Sequence, residues 1–229
     1  MNVFQSLFRR FGYELTRTPG AVDFMHSRNV DLVLDVGANK GQFARGLRAQ
    51  GYRGRIHSFE PVKAVYDQLA AAAAGDPLWR HANCAVGAAP GSADINVSNY
   101  TVYSSIRATT DLGTAFSRNT AVVRVETVPV IRLDQNVDES ARAIFLKIDT
   151  QGFEREVLEG AVGLLDRCVG LQLELPVEHL YQDVWSFHEA LAYVDNLGFA
   201  PAQVRMVNAL HDDRVSGIEF DCIFRRKRG

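Results

Sequence analysis

What the chain lacks narrows its class first. It has three cysteines in 229 residues, Cys84, Cys168 and Cys222, with no CxxC pair. That leaves no zinc ligand set and no disulfide framework to read. An odd number without a secretory leader points to a reducing, cytoplasmic setting, with all three thiols as small buried hydrophobes. No apolar run approaches the roughly 20 residues that span a bilayer, so the chain reads as soluble. A strong charge of one sign is missing as well. The net charge of −2 gives no reason to expect nucleic acid as a partner, and Arg225-Arg226-Lys227-Arg228 reads as a solvated tail.

What is present supports one sizeable core. At 229 residues and 47% hydrophobic content, 1–229 is taken as a single domain. Residues 1–28 form a helical extension and residues 95–133 an insertion. In the extension, Val3, Phe4, Leu7, Phe8 and Phe11 recur at helical spacing. This short amphipathic helix over residues 1–12 either packs on the domain or makes weak contact with a membrane surface.

The organising stretch is DLVLDVGANKG, residues 31–41. The apolar run Leu32–Val36 reads as a strand, the Gly-Ala-Asn-Lys-Gly segment as a tight turn, and residues 43–50 as a helix. A turn of this kind aims backbone N–H groups and a helix N-terminus at a ligand above the strand end. Gly37 and Gly41 allow close approach, and Asn39 tolerates positive φ. A second strand, Arg55–Phe59, ends at Glu60-Pro61, roughly 20 residues beyond the turn, where nucleotide-binding folds place an acid on ribose hydroxyls. A dinucleotide fingerprint needs glycines at the positions of Asn39 and Gln42, so two of its three are absent.

Further along, residues 62–74 form a helix and residues 78–85 a third strand, with Asn83 near its end as a candidate for an adenine edge. Residues 95–133 then supply a polar, aromatic loop, Asn99 to Ser105, and an alternating stretch broken by Pro129. This insertion is expected over the site as a substrate wall, with Tyr100, Tyr103, Ser104 and Ser105 as its candidate contacts. Residues 143–148 are nearly continuous in apolar character, as a strand covered on both faces should be, and Asp149 ends them. One helix with a stripe of Phe153, Val157, Leu158, Ala161, Leu164 and Leu165 follows. Residues 169–175 form a fifth strand ending near Glu174, residues 185–197 a helix, and residues 199–207 and 217–224 a closing antiparallel hairpin. The expected architecture is five βα units and a hairpin: a doubly wound, mostly parallel seven-stranded α/β sheet. Its ligands belong at the strand carboxyl ends, where Gly37, Glu60, Asn83, Asp149 and Glu174 sit.

Taken together, the motifs resemble the FkbM family of S-adenosylmethionine-dependent methyltransferases, many of which methylate hydroxyl oxygens. The matching stretches are LDVGANKG (34–41), SFEP (58–61), Ser104-Ser105, LKIDTQGFE (146–154) and VLEG (157–160). Glu174 and Asp221-Cys222-Ile223-Phe224 look like later landmarks. The resemblance implies a Rossmann-like fold and S-adenosyl-L-methionine cradled by Gly37, Asn39 and Gly41, with Glu60 on the ribose. Asp35, Asn83 and Asp149 complete the implied cofactor set. One departure stands out: relatives often carry Glu where this chain has Gln151.

Transfer of a methyl group from a sulfonium to an alcohol needs alignment and a base. Asp149 and Glu174, at adjoining strand ends, and His179, just after Glu174, are the candidates. No metal ligand set is expected. The acceptor is taken as a hydroxyl of a small molecule, glycan or glycolipid. The competing readings are an NAD(P)-dependent oxidoreductase, which shares the strand, glycine loop and acid, and a catalytically silent donor-binding module.

Overall fold

The computed structural model describes residues 8–13, 18–116, 120–210, 213 and 215–228. Among the described residues ten strands form two sheets. The main sheet has seven strands in the order β3-β2-β1-β7-β8-β10-β9. Its parallel members are β1 (Leu32–Val36), β2 (Arg55–Phe59), β3 (Trp79–Ala82), β7 (Ile144–Ile148) and β8 (Cys168–Pro176). The hairpin strands β9 (Phe199–Ala209) and β10 (Gly217–Arg226) close the chain, with β10 antiparallel to both β8 and β9. The last strand runs against the others, as the short connection requires.

Every residue of β1 and β7 is buried, because helices or loops cover both faces of a central parallel strand. One face packs Leu34, Phe59, Leu146, Leu173 and Phe224 against the segment after β7 and the helix α6 (Phe187–Asn196). The other packs Val33, Ile56 and Phe145 beneath α1 (Ala21–Ser27), α2 (Gln42–Ala49) and α3 (Lys63–Ala73). α1 belongs to this core. Its Phe24 lies over Gly170, where an added Cβ would stand 2.3 Å from the ring, and meets Phe145 edge-on at 5.7 Å.

Four expectations change. The third strand divides at Asn83-Cys84 into β3 and the two-residue β4 (Ala85–Val86), which leaves the main sheet to pair with β6 (Val122–Ile131). Among the described residues no crossover helix follows β3. Its connection to β7 is instead a three-stranded sheet, β4-β6-β5 with β5 at Gly91–Ser98, plus the short α4 (Asp111–Phe116). The single helix expected after Phe153 is α5 (Glu154–Glu159) and then a 3-10 segment, Val162–Arg167. The break falls at Gly160, whose Cβ position would lie 2.0 Å from the Gly87 carbonyl oxygen, so the backbones touch where a straight helix would be driven apart. The stripe residues Val157, Leu158, Ala161, Leu164 and Leu165 are buried all the same.

The basic run at the end is only partly a solvated tail. Arg225 and Arg226 belong to β10, and the Arg226 guanidinium donates to the carbonyls of Leu165 and Cys168 and lies 4.3 Å from the Phe199 ring centre. At the other terminus, Val3, Phe4 and Leu7 lie outside the described residues. Residues 8–10 are helical, and Phe8 and Phe11 are exposed.

Candidate active site

A cleft of about 1210 Å³ opens along the carboxyl ends of the main strands. Its floor begins at the turn after β1. Gly37, Asn39 and Gly41 all have positive φ, at 75°, 48° and 78°. At Gly37 a Cβ would lie 1.8 Å from the Asp149 carbonyl oxygen, so only glycine lets the β1 and β7 ends meet.

The turn does not present its N–H groups to a ligand, contrary to the sequence expectation. Gly37 and Ala38 donate to the Phe59 carbonyl, Gly41 to Ala38 and Lys40 to its neighbour Asn39 Oδ1. The remaining donor, the Asn39 N–H, reaches Glu60 Oε2 at 2.9 Å, while Glu60 Oε1 accepts the Val62 N–H at 2.9 Å. The Glu60 carboxylate therefore ties the first two turns of the sheet together. Burial pushes its pKa up to about 7 against the pull of these two hydrogen bonds.

Behind this floor lies Lys147, a lysine within the otherwise apolar β7. Register places it beside Asp35. Its ammonium is 3.4 Å from Asp35 and 3.2 Å from Asp149, and it donates to the Gly37 carbonyl at 3.3 Å. Burial alone would depress this lysine, but Asp149 and Asp35 outweigh it and hold the pKa above its ordinary value. Asp35 is fully buried, does not line the cleft, and also accepts from Ser58 at 3.2 Å. It acts from beneath, by keeping Lys147 charged.

Gln151 joins the two expected catalytic acids. Its amide nitrogen donates to Asp149 Oδ1 and to Glu174 Oε2, each at 2.8 Å. The Tyr181 hydroxyl lies 2.9 Å from Gln151 Oε1 and 3.2 Å from the Tyr103 carbonyl, and donates to one of them at a time. A Glu at this position would put a third carboxylate against two. Even with the amide in place Glu174 is held well above its ordinary pKa, first by burial and then by Asp149, Glu219 and Asp221.

The other sequence candidates divide. Tyr103 and Ser104 line the cleft. Tyr100 is 55% exposed outside it. Ser105 is buried, donating to the Gln151 carbonyl at 2.6 Å and so bracing that turn. Asn83 spends both amide hydrogens on the carbonyls of Glu60 and Pro61 and does not line the cleft. His179 is exposed and also outside, so it is not brought to Asp149 and Glu174. Sequence reasoning passed over Lys147, Gln172, Glu219 and the cleft role of Asp221. A lysine inside an apolar strand was the available signal for the first, since a buried charge needs a partner. Among the described residues no group of three or more His, Cys, Asp or Glu side chains is arranged to hold a metal ion.

Sheet order and cleft position define a Rossmann-like methyltransferase fold. Solved structures with this fold include an rRNA methylase from Streptococcus thermophilus, at 13% identity and TM-score 0.51, covering 93% of this chain and 99% of that chain. TehB from Haemophilus influenzae follows at 13% identity and TM-score 0.50, covering 98% of this chain and 67% of that chain. A Methanococcus jannaschii fibrillarin pre-rRNA processing protein stands at 8% identity and TM-score 0.50, covering 93% and 71%. At such identities the likeness shows the fold alone. A search of curated proteins finds no match. The methyltransferase FkbM domain matches residues 35–201, well over half of the sequence, and the chain belongs to that family.

Proposed function

We propose that this protein is an S-adenosyl-L-methionine-dependent O-methyltransferase whose acceptor is a hydroxyl of a small molecule or of a sugar in a glycan or glycolipid. The observation that carries the reading is the pairing, in one cleft, of a closed Gly37–Glu60 floor with the Asp149–Gln151–Glu174 bridge.

The donor end suits a nucleoside without phosphates. Every backbone N–H from residue 37 to 41 is already taken, which leaves that turn no donors for the pyrophosphate of a nicotinamide dinucleotide. Cys84, Ala85, Val86 and Ile95 offer an apolar wall beside Glu60, whose oxygens keep lone pairs for ribose hydroxyls. Gly37, Asn39 and Glu60 line the cleft and would hold the donor, which when bound supplies an electrophilic methyl on a sulfonium, while Gly41 lies off the cleft against Trp79. Asp149 lies between the Lys147 ammonium and the Gln151 amide. There it orients the acceptor hydroxyl and takes its proton. Glu174, at the far end of the Gln151 bridge, accepts a hydrogen bond from a second polar group of the acceptor. Tyr103 and Ser104 form the wall over it.

The acceptor side carries Asp149, Glu174, Glu219 and Asp221, a sign of charge that repels polyphosphates and favours a hydroxylated acceptor over RNA. The test is transfer of labelled methyl to a panel of hydroxylated glycans and small molecules, with structured RNA alongside. Transfer to a hydroxyl in the panel is expected, with Asp149→Asn lowering the rate by about 10²–10⁴-fold. Labelling of RNA alone would overturn the acceptor. Melting curves separate the competitors, because S-adenosylhomocysteine and not NAD should raise the midpoint. A silent donor-binding module would show that rise while methylating nothing.

A further inference from the structure

The cleft continues past Glu174 over the hairpin side of the main sheet. Register sets Asp221 opposite both Glu174 and Arg205, and Ile223 opposite both Gln172 and Gln203. Gln172, Gln203, Arg205, Asn208, Glu219 and Asp221 all line this lobe.

Two independent features mark it as built for a ligand. Gln172 is 9% exposed and lines the cleft, yet its Oε1 has no hydrogen-bond partner among the described residues. Buried polar groups are normally paired, and one left alone costs about 1–3 kcal/mol. The second feature is an excess of carboxylates over cations. Lys147 is committed to Asp35 and Asp149. Arg205 pairs with Asp221 at 2.8 Å through a side chain that is 79% exposed. Glu219 has an amide partner, Asn208, at 2.6 Å. Burial, opposed by that amide and reinforced by Asp149, raises the Glu219 pKa.

We propose that this lobe is the recognition subsite of the acceptor and binds a protonated amine carried on a hydroxylated ring, as in an amino sugar. The assignment rests on the acceptor reading above. The ring hydroxyls satisfy Gln172 and Gln203, and the ammonium sits among Glu174, Glu219 and Asp221, apart from the hydroxyl that Asp149 deprotonates. A neutral sugar would pair with the amides and leave the carboxylates crowded.

The test is calorimetric titration of the full chain with glucosamine, N-acetylglucosamine and glucose at pH 7 and low salt, with S-adenosylhomocysteine present. Glucosamine is expected to bind about tenfold more tightly than the other two, the equivalent of about 1.4 kcal/mol. Glu219→Gln with Asp221→Asn should erase that preference. Arg205→Glu, on an exposed side chain, should strengthen it and gives a reading even if the double variant fails to fold. Equal binding of the three sugars, or a preference that these substitutions leave unmoved, would overturn the proposal. Failure of the donor reading shows separately as a wild-type melting point unmoved by S-adenosylhomocysteine, and the sugar titration is then run without it.

Discussion

The two ends of the cleft are built differently. At the Gly37 end every backbone N–H from residue 37 to 41 has an acceptor and both Glu60 oxygens are occupied. At the hairpin end Gln172 Oε1 has no partner among the described residues, and Glu174 and Glu219 both sit above their ordinary pKa. The first is a closed circuit that keeps its shape with nothing bound. The second has polar groups whose best partners come from outside, as a site that selects its ligand by charge and hydrogen bonding should. Lys147 is the hinge between them, touching Asp35 under one and Asp149 at the start of the other.

The contrast breaks hardest at that hinge. Lys147→Met leaves Asp35, fully buried, without its counter-charge, and removing one partner of a buried pair costs about 3–5 kcal/mol. Urea unfolding at pH 7 should show a loss of that size, with Asp35→Asn added to the variant recovering a large part. Recovery of nothing would mean that the pair does not hold the floor.

Next comes the pH response of Glu60. Its pKa of about 7 against an ordinary 4.5 means that between those values the folded chain holds a proton the unfolded chain has lost. Stability from this group is therefore full below pH 4.5 and falls by about 3 kcal/mol as pH rises through 7. His57, pushed down to about 4 by burial, works in the opposite sense between about pH 4 and 6.5. Comparing wild type with Glu60→Gln isolates the first contribution, and the variant should lack the fall above pH 5. If ribose hydroxyls donate to this carboxylate, S-adenosylhomocysteine affinity should also weaken as pH drops below 7.

Gln151→Glu sharpens the difference between the ends. The change removes the donors at 2.8 Å from Asp149 and Glu174 and should cost about 1–3 kcal/mol at pH 7. The deficit should shrink on acidification, because the new carboxyl takes up a proton. A deficit flat between pH 5 and 8 would refute the crowding. The smallest effect belongs to Tyr100→Ser, outside both ends and 55% exposed. Its melting midpoint should correspond to a change within about 0.5 kcal/mol, with acceptor affinity unaltered.

Much of this was legible before any coordinates. The apolar run of β1, the glycines at 37 and 41 and the acid at 60 each follow from local rules of strand, turn and strand end. The antiparallel hairpin follows from a connection too short for a crossover. Asn83 shows where such reading stops. Its place beside a turn fits a ligand or, more often, a backbone contact, and the fold gives its amide hydrogens to Glu60 and Pro61. Gly160 is similar: a glycine in an apolar helical pattern does not announce that Gly87 will press against it.

By itself, then, the sequence determined most strands of the main sheet, their order along the chain and the acids that end them, because propensity, turn chemistry and apolar period act over a few neighbouring residues. Tertiary structure alone decided which groups meet: Glu60 with the Asn39 N–H, Lys147 between Asp35 and Asp149, and the hairpin acids Glu219 and Asp221 beside Glu174. Those partners lie from two to more than a hundred residues apart, and strand register, set by packing across the whole sheet, brings them within a few ångströms.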